Sequence, residues 1–198
     1  MARKLLIALG VVAALVVGAW VLVIAPAANR LATEQLVAAG FDGATVEIHA
    51  DGLRVTIPEI PAGEGGSGVS ASGLVVDIGG LGVDDIQALT GGSGGFALPA
   101  GTTLDVRAAS ATVATTSGPL GLGDLSLVGN DTSAQFSALI DAAVAERLQG
   151  AATGGVVTLP FDDRGITLTG ATFTAEGGKV RLAGTIDMAA LLGTLGGE

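Results

Sequence analysis

Thr45-Val46-Glu47-Ile48-His49-Ala50-Asp51-Gly52-Leu53-Arg54-Val55-Thr56-Ile57 decides how this chain folds. Val46, Ile48 and Ala50 alternate with Glu47 and His49, and Leu53, Val55 and Ile57 alternate with Arg54 and Thr56. Each run therefore has one apolar face at a period of two. Asp51-Gly52 lies between them, and because both positions of such a turn favour φ > 0, the pair is a strong hairpin signal. Two antiparallel strands are predicted. Pro58 and Pro61 end the second, and Gly63 to Gly68 follows as a polar loop.

Toward the carboxyl terminus the same period recurs. Val69 to Ile78 reads as a third strand, followed by a short helical turn, Asp84 to Thr90, whose two leading carboxylates suit a helix N-terminus. Gly91 to Gly95 breaks that turn. Thr102 to Thr116 and Leu120 to Val128 read as strands joined through Gly118-Pro119. Strands return at Val156 to Phe161, Ile166 to Ala175 and, after the turn Glu176-Gly177-Gly178-Lys179, Val180 to Asp187. In the last of these Val180, Leu182 and Ile186 alternate with Arg181 and Asp187, the pattern of a sheet with one wet face. The apolar phase slips by one residue around Gly170, between Leu168 and Ala171, which predicts a β-bulge.

One segment reads as a long helix. Thr132-Ser133-Ala134-Gln135 has the form of a capping box. Phe136, Leu139, Ile140, Ala143, Val144 and Leu148 then fall on one helical face, and Gly150 closes the end. Ser133 to Gln149 is thus expected to pack one side on the sheet.

Toward the amino terminus, Asn29 to Ala39 has helical spacing and Gly40 is its expected stop. Upstream, Leu5 to Ala28 runs for about 24 positions without a charge, enough at ~1.5 Å per residue to cross a bilayer core of ~30 Å. The run is longer than the apolar part of a cleaved signal peptide, although Ala25-Pro26-Ala27 has the small residues a signal peptidase accepts. Arg3-Lys4 before it holds the amino terminus in the cytoplasm and sends the rest outside, with Trp20 near the outer interface. The expected fold class is α+β. A single amino-terminal transmembrane helix (1–28) is followed by an extracytoplasmic domain (29–187), a mostly antiparallel, curved sheet packed by one long amphipathic helix, and by a tail (188–198). The expected location is the plasma membrane.

Composition narrows the function. Removing Arg3 and Lys4 from a net charge of −10 leaves the exported part at about −12, which repels nucleic acid and gains nothing from anionic headgroups. There is no cysteine, so neither disulfides nor lipoprotein acylation is available, and a bacterial envelope fits best. With no tyrosine and only 3% aromatic residues, stacking platforms for sugars or bases are scarce. Gly91-Gly92-Ser93-Gly94-Gly95 matches a nucleophile elbow, but His49, the one histidine, precedes Ser93 where that fold needs it to follow. Gly63-Glu64-Gly65-Gly66-Ser67-Gly68 matches a dinucleotide fingerprint, but a strand follows it where a helix is required. Asp84-Asp85 and Asp162-Asp163 lack the spacing of a calcium loop. Asn130-Asp131-Thr132 has the form of a glycosylation acceptor, a pattern frequent by chance. Neither a catalytic group, a cofactor nor a metal is expected.

The order of parts, from the helix at Thr132 to Gln149 through Val156-Val157-Thr158-Leu159 and Gly165-Ile166-Thr167-Leu168-Thr169-Gly170 to Gly178-Lys179-Val180-Arg181-Leu182, resembles the LmeA-like actinobacterial family. These are anchored or exported phospholipid-binding proteins linked to mannan lipoglycan maturation. More distantly it resembles lipid-binding folds of the AsmA and TULIP kind. The resemblance spans residues 30 to 187 and implies non-catalytic binding of a phospholipid or lipid-linked glycan. Phe136, Leu139, Ile140 and Val144 would line a groove between helix and sheet, a closed core being the other reading of the same residues. A second function class is a structural or accessory subunit docked on a larger membrane-protein complex, with Gly10 and Gly18 giving the anchor small faces for helix packing.

Overall fold

The structure is a computed structural model that describes residues 40–49, 52–61, 69–81, 100–115, 118–161 and 164–191, together with 30, 33–34 and 36–38. Nine strands form one sheet: β1 (Thr45–His49), β2 (Gly52–Ile60), β3 (Val69–Gly79), β4 (Thr103–Val113), β5 (Leu120–Asn130), β6 (Ser133–Ile140), β7 (Val157–Phe161), β8 (Arg164–Glu176) and β9 (Lys179–Asp187). The order is β1-β2-β3-β4-β5-β6-β9-β8-β7, antiparallel throughout. The first six strands follow the chain. The last three return from the far edge, and helix α1 (Ala142–Ala151) occupies the crossover between β6 and β7.

The hairpin at β1–β2 forms one residue earlier than its turn signal suggested. His49 pairs with Gly52, so the two-residue connection is 50–51, outside the described residues, and Gly52 belongs to the strand. Glycine is needed there because a Cβ would collide with the carbonyl oxygen of Ile78. The helical residues before β1 stop at Gly40 (φ +92°), where Phe41 N–H donates to the Leu36 carbonyl at 3.0 Å and Gly40 N–H to that of Val37 at 2.9 Å. That is a Schellman end, and its apolar partners Leu36 and Phe41 are both buried. Gly170 (φ +62°) carries the predicted bulge, with the β8–β9 register shifting between Thr169 and Thr172.

The long helix expected over Ser133 to Gln149 does not form. Ser133 to Ile140 is strand β6, and only Ala142–Ala151 is helical. Phe136 and Ile140 satisfy a helical period, but Ala134, Phe136, Ala138 and Ile140 also satisfy a period of two, and all four are buried. Pairing on both sides decides between them: Leu127 faces Phe136 on β5, and Leu182 faces Ala138 on β9. Thr132 and Ser133 serve the β5–β6 hairpin instead of a helix cap, donating backbone N–H groups to Asn130 Oδ1 at 3.0 Å each. The fold class is corrected accordingly, from α+β with a long packing helix to a mostly antiparallel sheet with little helix among the described residues, α1 spanning ten of them. Among the described residues, no helix is long and apolar enough to cross a membrane. The segment Leu5 to Ala28, the turn Asp84 to Thr90 and the motifs at 63–68, 91–95 and 162–163 lie outside those residues.

A crease crosses β2 to β5. Buried positions alternate along β2 at Leu53, Val55 and Ile57, then resume at Ile60. Along β4 they pass from Ala108 to Ala111, and along β5 the apolar set passes from Leu122 to Leu125. The skipped residues, Pro58, Gly73, Ala109 and Asp124, are opposite one another in register and all exposed. Gly73 (φ +60°) and Asp124 (φ +44°) have left-handed backbones. The register between these strands runs unshifted across the line, so all four change phase together and the alternation restarts with the apolar side still inward.

Candidate functional site

The inner, apolar face of the sheet holds two clusters. The first joins Leu36 and Phe41 to Val46, Leu53, Val55, Ile57, Val76 and Ile78. The second joins Phe136, Ala138, Ile140, Leu168, Leu182 and Ile186 to Ala145 and Leu148 of α1. Between them, in the middle of the sheet, packing is incomplete. Leu74 on β3, Leu104 and Val106 on β4, and Leu125 and Leu127 on β5 are only half-buried. Val106 pairs directly with Leu127 and Ala108 with Leu125, so these side chains form one continuous aliphatic strip. Central strands of a sheet are ordinarily its best-covered part. Other inner-face residues, Ile166, Phe173 and Val180, are half-buried too, but on β4 and β5 the half-buried side chains are contiguous, running on from the buried Ala108 and Leu122.

The four residues expected to line a groove do not come together on one open surface. Phe136 is 7% exposed and Ile140 fully buried, both inside the second cluster. Val144 is a half-buried residue of α1 packed against that cluster, and Leu139, adjacent to Ile140 on a strand, points to the opposite face. Strip residues Leu104, Val106, Leu125 and Leu127 fall within the segments Thr102 to Thr116 and Leu120 to Val128 that read as strands, without a face assigned to them. Their partial exposure depends on what lies opposite, which alternation does not encode.

At one end of the strip stands Thr102. Its carbonyl accepts the Asp131 N–H at 3.1 Å, continuing the β4–β5 ladder one residue past Thr103, so alternation puts its side chain on the face of Leu104 and Val106. It is 0% exposed, and its Oγ1 has no hydrogen-bond partner among the described residues.

The outer face is polar and closed upon itself. Arg54 donates to Asp77 at 2.6 and 3.1 Å, and Arg107 to Asp105 at 2.9 and 2.7 Å. Both arginines are held still more firmly in the charged state, through the side-chain hydrogen bond first and the facing charge second. A shallow hollow of about 370 Å³ lies beside these pairs, rimmed by His49, Asp77, Thr103, Asp105 and Val128 over the bare backbone of Gly52 and Gly79. His49 is exposed, with Nε2 3.9 Å from Glu47. Further along the same face, Arg181 uses four of its five N–H donors: it donates to Glu176 at 2.6 and 3.0 Å, to Asp124 at 2.8 Å and to Ser137 at 3.1 Å. The hydrogen bond from Arg181 holds the Glu176 carboxyl below its ordinary range. The crease thus delivers Asp124 to an ion cluster that ties β5, β6, β8 and β9. Among the described residues no group of three or more histidine, cysteine or acidic side chains is placed to hold a metal.

The chain matches no family model, no curated protein and no solved structure.

Proposed function

We propose that this protein binds lipid without turning it over, taking an acyl chain along the half-buried strip Leu74, Leu104, Val106, Leu125 and Leu127. The observation that carries the reading is the contiguous row of half-buried aliphatic side chains on β3, β4 and β5, lying between two packed clusters. Each methylene moved from water into such a strip gains ~0.8 kcal/mol, so ten of them offer about 8 kcal/mol against the cost of ordering the chain. The uncharged run Leu5 to Ala28 behind Arg3-Lys4 supports placement at the plasma membrane of a bacterial envelope, with the sheet on the outer side. A phospholipid or lipid-linked glycan is the acyl-bearing ligand that a strip held at such a membrane would meet.

Native mass spectrometry of the full chain released from mild detergent tests this. A phospholipid should co-purify with the wild-type protein and be lost from Leu127→Arg, which places a charge in the strip. An empty domain holding a stoichiometric protein partner would overturn the lipid reading in favour of an accessory subunit of a membrane complex.

A further inference from the structure

Thr102 stands out on the inner face as a polar group with nothing to bind. It is the buried polar residue among the described residues, completely enclosed, while the side chains that follow it on that face, Leu104, Val106 and Ala108, are apolar. Enclosing a hydroxyl without a partner is unfavourable, so buried hydroxyls are normally satisfied by protein, water or ligand. A valine would fill the same volume without that cost. The hydroxyl lies at the end of the aliphatic strip and on its face, where the polar end of a ligand whose chain lies along the strip would arrive as the side chains that enclose Thr102 give way.

We infer that Thr102 is the polar anchor of the lipid site, its Oγ–H donating to an ester carbonyl of an acyl glycerolipid while the chain runs over Leu104 and Val106 toward Ala108. The inference rests on the lipid-binding reading and adds the class of group that is recognised. An uncharged acceptor fits this position better than a phosphate. The nearest arginines along these strands, Arg54 and Arg107, alternate to the outer face and are engaged by Asp77 and Asp105. A phosphate buried at Thr102 would have no cation, whereas an ester carbonyl needs a single donor and lets the headgroup stay in water.

The test titrates the full-length protein in mild detergent with dioleoylphosphatidylcholine and with its diether counterpart, which keeps the chains and headgroup but lacks both ester carbonyls. Wild-type protein should prefer the diester by about tenfold, the value of one hydrogen bond in a dry site. Thr102→Val should bind both lipids with the affinity of wild type for the diether, and Thr102→Ser should restore the preference. The variant should melt no lower than wild type, because the removed hydroxyl had no partner to lose; Thr102→Ala gives the same readout if valine packs badly. Equal binding of the two lipids by wild type, as expected if a water satisfies Thr102, would overturn the inference while leaving lipid binding intact. So would an ester preference that survives in Thr102→Val. Failure of wild type to bind either lipid would remove the lipid reading itself.

Discussion

Strands β5 and β6 are neighbours, and Leu127 on one is paired with Phe136 on the other, yet their inner faces have different fates. Along β6, Ala134, Phe136, Ala138 and Ile140 are 1%, 7%, 0% and 0% exposed, whereas Leu125 and Leu127 on β5 remain half-buried. Leu120 and Leu122, earlier on the same face of β5, are buried at 6% and 7%, so residue type does not set the difference. Cover does. The second cluster takes in Ala145 and Leu148 of α1, which packs on β7 and β9, and the first is capped by Leu36 and Phe41. An apolar side chain contributes its full burial only where another layer reaches it.

The contrast is open to direct attack. Ile140→Ala empties a site with no exposure and should destabilise the domain by about 2 to 5 kcal/mol in urea unfolding, while Leu127→Ala should cost well under half of whatever Ile140→Ala costs. Equal losses at the two positions would mean that the strip is ordinary core. Gly73→Ala should come next. Its φ of +60° is strained for any residue with a Cβ, at about 1 to 2 kcal/mol, and a loss of that size in thermal or urea melts would place the crease among the features that hold the sheet in shape.

The outer face should give the smallest response. Glu176 is depressed in the folded state, so its pairing with Arg181 stabilises the protein above the ordinary carboxylate range and fades as the pH falls through the lowered value. Glu176→Gln should therefore lower the melting temperature slightly at neutral pH and leave it unchanged in acid. The effect is modest because the pair is open to solvent, with Glu176 49% exposed. A difference that persisted at low pH would assign the loss to packing.

How much of this was legible in the residues depends on how many conformations a pattern permits. Val46 to Ile57 alternates with charged and hydroxyl side chains that no helix face accommodates, so its hairpin could be read, with an error of one residue at the turn. Gly40 and Gly170 were legible because each stands where a backbone must turn left-handed. Ser133 to Ile140 was not, since its apolar residues fit both periods and only the strands on either side choose between them. The strip was half legible: its residues lie in segments that read as strands, but the phase slip between Leu122 and Leu125 and the extent of the covering layer belong to the assembled fold. Thr102 was visible only as the first residue of a Thr/Val/Ala strand, and its enclosure without a partner is a property of the assembled fold.

The most direct test is a photo-crosslinking map. The full chain would be irradiated with a phospholipid carrying a diazirine in its acyl chain, and the adducts located by peptide mass spectrometry. Adducts concentrated on Leu104, Val106, Leu125 and Leu127, and competed away by unlabelled phospholipid, are the predicted result. Adducts confined to Leu5–Ala28, with the strip unlabelled, would contradict it.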